Sequence, residues 1–211
     1  MLRKSQGDVN MKVLIIYAHP REEGLNRGIL EAAMETLEKN NHQVTVRDLY
    51  KMNFNPVLEG PDMIHIVDGQ FVRENETYPD DVLLEQQLIL EHDLLLYIFP
   101  IWWNSYPAIL KGYIDRVFAH GFAYSFVDDK PKERFAGKKA LFLTTTGQPQ
   151  QENGEDTPLT KAIKTTTSDW MFNGNGVEVL DHVFYGRVPY LEEAELKNII
   201  EDVKKRMAEI N

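Results

Sequence analysis

The sequence predicts an α/β protein with three layers, built around a doubly wound sheet of five parallel strands. Short, continuous apolar runs of strand length alternate along the chain with longer segments whose apolar residues recur at helical spacing. The 211 residues are enough for one sizeable core and leave little for a second domain. No internal repeat or low-complexity segment interrupts this alternation.

Five strands and five helices are expected. The expected strands span 12–17, 43–50, 94–99, 138–146 and 177–186. The expected helices span 28–37, 82–92, 107–119, 158–172 and 191–210. Parallel strands joined by a helix almost always form a right-handed crossover, and the alternation then favours the strand order 2-1-3-4-5.

Two long connections, 51–78 and 121–137, show no periodic pattern and are expected to be loops. Long connections without regular structure are usually functional or disordered. Residues 1–11 are expected to be a disordered extension or an upstream start, and residues 12–211 to form one domain.

The composition disfavours several classes of protein. The formal net charge of −10 argues against a general nucleic-acid binder, because the phosphate backbone demands a positive surface. The lack of cysteine excludes disulfides and thiolate chemistry. No apolar run reaches the ~20 residues that span a bilayer, and no signal-peptide pattern is present, so a cytoplasmic protein without membrane insertion is expected. The six histidines show no metal-ligand spacing, and no metal site is predicted.

An aromatic loop links the third predicted strand to the helix that follows it. Trp102, Trp103 and Tyr106 come after an apolar run that stops at Pro100, and helical spacing begins after Pro107. Open α/β sheets bind ligands outside the carboxyl ends of their strands, which is where this loop lies. Because exposed tryptophan is costly, the two indoles need either the core or a ligand. The loop is a candidate ligand site.

The loop after the first strand feeds a helix N-terminus, whose unpaired backbone N–H groups suit a phosphate. His19 and Asn26 can donate hydrogen bonds there, and Gly24 permits a close backbone approach. Without a ligand, Asn26 would only cap the helix and His19 would be a surface residue. Neither a GxGxxG nor a Walker pattern is present, so a Rossmann dinucleotide site or a P-loop is not supported.

These segments resemble a known family. The stretch at 99–124, FPIWWNSYPAILKGYIDRVFAHGFAY, closely resembles the flavin-binding segment of the flavodoxin-like NAD(P)H:quinone oxidoreductases, the DT-diaphorase family. AHP at 18–20, DLYKMNFNP at 48–56 and TTG at 145–147 extend the resemblance. The family includes bacterial general-stress and potassium-efflux-associated relatives. The resemblance implies a flavodoxin-like, flavin-binding domain over residues 12–211.

The resemblance also implies roles for particular residues. The flavin phosphate is expected at His19, Gly24, Leu25 and Asn26. The flavin ring is expected at Pro100, Ile101, Trp102, Trp103, Asn104, Thr145, Thr146, Gly147 and Gln148. The electron acceptor is expected to stack on Tyr124 and Phe126, in a loop that often comes from the partner subunit.

The chain departs from the family pattern at the phosphate loop and after the fourth strand. Glu23 stands where the family has a hydroxyl residue, and Gln148 replaces a glycine. The tyrosine and histidine that manage charge in the animal enzymes align near Asn153 and Leu159, which cannot titrate. The catalytic residues are therefore left unassigned.

The function implied by the resemblance is that of a flavoenzyme. It would take two electrons from NAD(P)H and pass them to quinone-like or nitroaromatic acceptors by a ping-pong mechanism. Three alternatives stay open at this point: a flavin-binding regulatory subunit of a potassium-efflux-type membrane transporter, a one-electron carrier, and a flavin-free domain.

The sequence also favours a particular flavin and a particular oligomeric state. FMN is favoured over FAD, because the basic residue that FAD-binding relatives carry near the start of the C-terminal helix is not evident in LEEAELK. The aromatic block and the 121–137 loop offer more apolar surface than one small subunit easily covers, which favours a homodimer. The choice between NADH and NADPH stays open.

Overall fold

The structure, a computed structural model, describes residues 10–211 except 74, 76 and 129, and omits the side chain of residue 131. Residues 1–9 of the expected extension lie outside the described residues. Met11 is buried, and its backbone N–H donates to Nδ1 of His42 over 3.2 Å. The division into an extension and one flavin-binding domain stays a prediction.

The central sheet confirms the predicted architecture. In the described part of the chain it has five parallel strands in the order β2-β1-β5-β6-β9, which is the predicted order 2-1-3-4-5. The strands are β1 Lys12–Tyr17, β2 Gln43–Asp48, β3 Ile64–Val67, β4 Gln70–Arg73, β5 Leu94–Pro100, β6 Lys139–Thr145, β7 Gln151–Glu152, β8 Glu155–Asp156 and β9 Glu178–Tyr185.

Helices flank both faces of the sheet. They are α1 Leu25–Lys39, α2 Asp80–Glu91, α3 Ala108–Val117, α4 Lys130–Phe135, α5 Pro158–Lys164 and α6 Glu193–Ala208, with a π-helix at Thr165–Asn173 after α5. The ends of the predicted strands and helices shift by no more than three residues. None of the described helices is both long and apolar enough to cross a bilayer.

Two apolar clusters, one on each face, hold the sheet between the helices. Val13 and Ile15 of β1 belong to the cluster that contains residues of α1 and α6. Leu14 and Ile16 belong to the cluster that contains residues of α2 and α3. Because successive side chains of a strand point to opposite faces and both faces are covered, the buried part of each central strand is mostly apolar. This is the physical origin of the continuous apolar runs in the sequence.

The prediction of a loop over 51–78 was wrong for part of that segment. It contains a 3₁₀ turn, Gly60–Asp62, and the antiparallel hairpin β3–β4. Asp68 and Gly69 connect the two strands, and both have positive φ, 50° and 76°. Two such residues form the turn whose twist matches a hairpin, and Asp-Gly is a favoured pair there.

The 121–137 segment is also not wholly a loop, since it contains α4. After β6, the short hairpin β7–β8 turns at Asn153 and Gly154, which have φ values of 52° and 82°. Asn-Gly is the same kind of turn signal as Asp-Gly. The two turn pairs were therefore visible in the sequence.

The helix predicted over 158–172 is present, but its second half is a π-helix. Thr165, Thr166, Thr167 and Ser168 each donate a side-chain hydroxyl to the carbonyl four residues earlier. Hydroxyls that bond to helix carbonyls compete with the backbone ladder, which accounts for the wider turn.

Candidate active site

Three loops meet at the carboxyl end of the sheet, where open α/β sheets bind ligands. They are the phosphate loop (residues 18–24, after β1), the aromatic loop (101–107, after β5) and the β6 loop (146–150). The strands that precede them are adjacent in the order β1-β5-β6. The fold therefore brings together three segments that lie far apart in the sequence.

The phosphate loop ends in an open helix N-terminus. Gly24 is the N-cap of α1 with a φ of 96°, and no side chain of the described residues caps this helix. The first turn carries no acidic residue, and Glu23 just before it is exposed. A Cβ atom placed on Gly24 would meet nothing within 4 Å, so the space beside this residue is open. Free N–H groups and the helix dipole make this end a suitable anion site.

His19 lies at the entrance of this loop, with its Nδ1 against the backbone of Arg21. Nδ1 lies 3.1 Å from the backbone N of Arg21, which donates to it when the ring proton is on Nε2, and 3.5 Å from the carbonyl oxygen of Arg21, to which it would donate in the other tautomer. Desolvation by burial lowers the pKa of His19 below its ordinary value, and the nearby charge of Arg21 acts in the same direction. His19 is thus a neutral hydrogen-bond donor at pH 7. Its ring centroid lies 6.3 Å from that of Trp102.

A hydrogen bond between Asn26 and Thr145 connects the start of α1, which follows the first strand, with the end of the fourth predicted strand. Asn26 is buried, and its Nδ2 donates to Oγ1 of Thr145 over 2.9 Å. The two residues are 119 positions apart in the chain. Their bond holds the start of α1 against the end of β6. The structure thus brings together two of the expected flavin-binding residues and places them in contact with each other.

The aromatic loop forms a tight turn that displays one tryptophan. Trp102 and Ser105 exchange two backbone hydrogen bonds of 3.1 Å each, and Trp103 and Asn104 between them have φ values of 49° and 61°. Left-handed backbone costs of order 1–3 kcal/mol in a residue other than glycine, least in asparagine. That requirement explains an asparagine at 104. Trp103 is 98% exposed, so its indole does not fold back onto the core.

The start of the aromatic loop is anchored to β6. Ile101 donates its N–H to the carbonyl of Thr145 over 2.7 Å, which extends the pairing of β5 and β6 beyond Pro100. Tyr106 is buried and donates its hydroxyl to the carbonyl of Thr167 in the π-helix. The turn at Trp103 is therefore exposed on a rigid base.

The β6 loop is held by bonds to the chain after β9. Thr146 donates its N–H to the carbonyl of Tyr185 over 3.0 Å and accepts the N–H of Val188 over 3.1 Å. Gln148 donates its N–H to Oγ1 of Thr146 over 3.2 Å. A Cβ atom on Gly147 would approach only Pro189, at 3.9 Å, which is ordinary contact. Packing within the protein does not demand glycine at 147.

Tyr124 and Phe126 lie elsewhere, in an aromatic cluster with Phe71 and His120. The ring centroids are 5.4 Å apart for Tyr124–Phe126, 5.4 Å for His120–Phe126 and 5.5 Å for Phe71–Phe126. Among the described residues, no ring of this cluster contacts a ring of the aromatic loop. Sequence reasoning missed Phe71 and His120, and the Asp-Gly turn of the β3–β4 hairpin was the signal that could have placed Phe71.

Neither residue at the positions of the expected relay can transfer a proton. Asn153 lies in the turn of the β7–β8 hairpin, and Leu159 is a partly exposed residue of α5. The N–H groups of Trp103, Asn104 and Gly147 donate to no acceptor within the described residues. At these positions a negative charge would be stabilised by backbone N–H dipoles and not by a titratable side chain.

Comparison with known proteins places this geometry in a family. Residues 11–209 match the family model described as a flavodoxin-like fold. An uncharacterized NAD(P)H oxidoreductase of Haemophilus influenzae is 31% identical over 192 residues, which cover 90% of this chain and 91% of that protein. NAD(P)H dehydrogenase (quinone) 1 of Cavia porcellus is 37% identical over 149 residues, 64% of this chain and 53% of that protein.

A solved structure gives the same result. The NAD(P)H:quinone oxidoreductase of Methanothermobacter marburgensis superposes with a TM-score of 0.76 and 26% identity, over 94% of this chain and 96% of that one. The chain spans about half the length of the Cavia porcellus relative and nearly the whole of the Haemophilus influenzae one. The chain therefore belongs to the family of flavodoxin-like NAD(P)H:quinone oxidoreductases.

Proposed function

We propose that the protein binds a flavin and uses it to reduce quinone-like and nitroaromatic acceptors with NAD(P)H. The observation that carries the proposal is the arrangement of one sheet edge. There an open helix N-terminus at Gly24 lies beside a tight turn that displays Trp103 and two free backbone N–H groups. A third free N–H group, that of Gly147, comes from the neighbouring β6 loop. The first feature suits a phosphate and the second suits a flat, electron-accepting ring.

The phosphate end would be held by the chain's own donors. The first-turn N–H groups of α1, at Leu25 and Asn26, would donate to it, since no side chain of the described residues caps this helix. The ring N–H of neutral His19 would add a further donor. Glu23 is exposed, so its carboxylate can stay in water and away from a bound phosphate.

The ring end would be held by Trp102 and Trp103, with the free N–H groups of Trp103, Asn104 and Gly147 as donors. When bound, a flavin accepts a hydride from NAD(P)H and passes two electrons to an acceptor. Donors held rigidly before the reaction stabilise negative charge that develops in it. The expected ping-pong kinetics follow from one pocket that admits nicotinamide and acceptor in turn.

Asn153 and Leu159 supply no acid–base group, and help of that kind is typically worth ~10²–10⁴-fold. Proximity and orientation remain, and these can supply ~7–11 kcal/mol of barrier reduction. We therefore expect real turnover that is slow beside that of relatives with a tyrosine–histidine relay.

Stopped-flow reduction of the bound flavin tests the proposal. The oxidised-flavin absorbance should bleach when NADH or NADPH is mixed with the purified protein, and should return when a quinone is added. A flavin that binds and stays oxidised under excess of both nucleotides would end the enzyme proposal. That result would instead favour a regulatory flavin-binding subunit.

We propose FMN as the flavin. FAD would need cations for a second phosphate, and an apolar groove between the start of α1 and α6 is where the chain could extend such a site. The lysines of that groove are already paired: Lys197 with Glu193 over 2.6 Å, and Lys204 with Glu201 over 2.8 Å. Denaturing the protein and weighing the released cofactor decides the matter, and recovery of FAD alone would reverse this choice.

A further inference from the structure

A second polar cleft opens at the carboxyl ends of β1 and β2, with a volume of about 480 Å³. Because β2 flanks β1 on the side away from β5, this cleft lies across the phosphate loop from the aromatic loop. Its walls include Tyr17, Arg21, Asp48 and Lys51, together with His19 and the carboxylate of Glu22. Of these residues, His19 alone has a flavin role above.

A tyrosine that lines the cleft carries a buried hydroxyl. Tyr17 is 1% exposed, and its hydroxyl makes no hydrogen bond within the described residues. Burial, and next the charge of Asp48, raise the pKa of Tyr17 to about 12, with Arg27 and Glu31 as further influences. Tyr17 lines the cleft together with Asp48, Arg27 and Glu31. A buried polar group without a partner is uncommon and calls for a ligand or water.

Asp48 stands beside this hydroxyl. Tyr17 and Asp48 are register partners at the last positions of β1 and β2. Oδ1 of Asp48 accepts the backbone N–H of Lys51 over 3.1 Å, and Oδ2 has no partner among the described residues. A carboxylate that keeps a free oxygen at the end of the second strand is suited to accept hydrogen bonds from sugar hydroxyls.

The cationic side chains of the cleft differ in their pairing. Arg27 is engaged by Glu31, with Nε and Oε1 2.7 Å apart. The charged ends of Arg21 and Lys51 make no ion pair in the part of the chain that the structure describes. Two free cations beside a hydroxyl and a carboxylate complement a sugar that carries both hydroxyls and a phosphate.

We propose that this cleft binds the phosphorylated ribose at the adenosine end of NADPH, with Arg21 and Lys51 on the 2′-phosphate and Tyr17 and Asp48 on the sugar. The proposal rests on the proposed function, which places the nicotinamide over the β5 and β6 loops. Neighbouring strands are ~4.8 Å apart, so the cleft is roughly 10 Å from that position. An extended dinucleotide spans that distance. The cleft would thereby favour NADPH over NADH.

Nucleotide binding to the flavin-loaded protein tests this without turnover. Isothermal titration compares 2′,5′-ADP with 5′-AMP, two probes that differ by the 2′-phosphate. The wild type should bind 2′,5′-ADP about tenfold or more tightly than 5′-AMP, as expected for one phosphate held by two cations. The variant R21Q/K51Q should lose this discrimination. K12Q, which removes one exposed lysine at the opposite end of β1, should keep it.

Tyr17→Phe is the sharper variant, because it removes one oxygen and breaks no hydrogen bond within the described residues. Its thermal midpoint should equal or exceed that of the wild type, while its affinity for 2′,5′-ADP should fall several-fold. Equal affinities of the wild type for the two probes would overturn the proposal, as would discrimination that survives in R21Q/K51Q.

The two proposals fail separately. In stopped-flow experiments the ratio of flavin reduction rates with NADPH and NADH should fall in R21Q/K51Q. Probe discrimination with a flavin that stays oxidised would keep the phosphate site and refute the enzyme. Flavin reduction without probe discrimination would keep the enzyme and refute the cleft.

Discussion

His182 is a neutral histidine in the core, between the sheet and the π-helix. Its Nδ1 lies 3.0 Å from Oγ of Ser168, its Nε2 lies 3.3 Å from Oγ1 of Thr144, and its ring stacks on Phe184 at 4.2 Å. Burial, and next the positive charge of Lys164, lower the pKa of His182 to about 3. Oγ1 of Thr144 donates its own proton to the carbonyl of Val183, so it accepts the single N–H of neutral His182 at Nε2. Burial then holds the ring in its neutral form.

This histidine predicts a loss of stability in acid. Between about pH 6.5 and pH 3 the unfolded chain binds a proton at His182 that the folded chain does not, so stability falls as the pH falls through that window. The expected contribution is about 2 kcal/mol between pH 7 and pH 5. Urea unfolding at both pH values measures it.

The variants H182Q and H65Q make the test specific. His65 is an exposed residue of β3, so H65Q should keep the wild-type difference between pH 7 and pH 5. In H182Q the difference in unfolding free energy between pH 7 and pH 5 should be smaller by about 2 kcal/mol. An H182Q protein with the wild-type pH dependence would contradict this account of His182.

Gly147 allows the cofactor site to be tested apart from the fold. A Cβ atom there approaches only Pro189, in ordinary contact, so the first carbon of a larger side chain fits the protein's own packing at the β6 loop. We expect Gly147→Val to exclude the flavin sterically while the thermal midpoint of the flavin-free protein stays near that of wild-type apoprotein. The ratio of flavin to protein absorbance measures the loss. The flavin content of Gly147→Ala should lie between those of the wild type and Gly147→Val. Full flavin content in Gly147→Val would place the flavin elsewhere.

At the scale of elements, Arg116 of α3 ties three segments together. Its side chain is buried and donates to Oδ2 of Asp62 over 2.9 Å, to Oδ2 of Asp81 over 2.6 Å and to the carbonyl of Asn55 over 2.9 Å. The connection before β3, the start of α2 and α3 therefore share one guanidinium. Its charge is matched by carboxylates, one of which is itself buried.

Arg116→Met should be strongly destabilising, because it leaves the buried carboxylate of Asp62 without its cation. Breaking a buried pair in this way typically costs about 3–5 kcal/mol. Lys111→Met on the same helix breaks an exposed pair with Asp115, which is worth about 0–1 kcal/mol. Urea unfolding compares the two variants. Similar losses of unfolding free energy in both variants would show that Arg116 does not hold the connection before β3 in place.

The elements themselves were predictable to different degrees. The central strands β1 and β5 follow from continuous apolar runs, because both faces of each are covered. The edge strand β2 follows instead from alternating apolar and polar residues, because it is only partly buried. The hairpins β3–β4 and β7–β8 were missed, although Asp68-Gly69 and Asn153-Gly154 signal their turns. The π-helix could not be predicted, since threonine at 165–167 suits an ordinary helix end equally well.

At the scale of the whole molecule, much apolar surface is left uncovered in one chain. The largest exposed aromatic side chains are Trp103, Phe126, Trp170 and Tyr190. Exposed patches of this kind on a small domain usually mark an interface, and a symmetric pair is the commonest arrangement. Among the described residues, no ring contact joins the aromatic cluster around Phe126 to the aromatic loop of its own chain.

We therefore predict a homodimer with sites that lie across the interface. Light scattering at micromolar concentration should give twice the 24.4 kDa of one chain. Phe126→Lys, a substitution of a 69% exposed side chain, should shift the mass toward that of one chain and reduce quinone turnover together. A wild-type monomer with full turnover would contradict the prediction.

The sequence by itself determined the sheet order, the flavodoxin-like class and the three loops that carry the candidate site, because apolar periodicity and local motifs act between near neighbours in the chain. Only the tertiary structure decided which of those residues touch. Asn26 meets Thr145 across 119 positions, Trp103 turns out into solvent, and Tyr17 stands beside Asp48 with its hydroxyl unpaired. The physical reason is that burial and pairing of polar groups depend on strand order and register, which bring distant residues together and leave no local trace in the sequence.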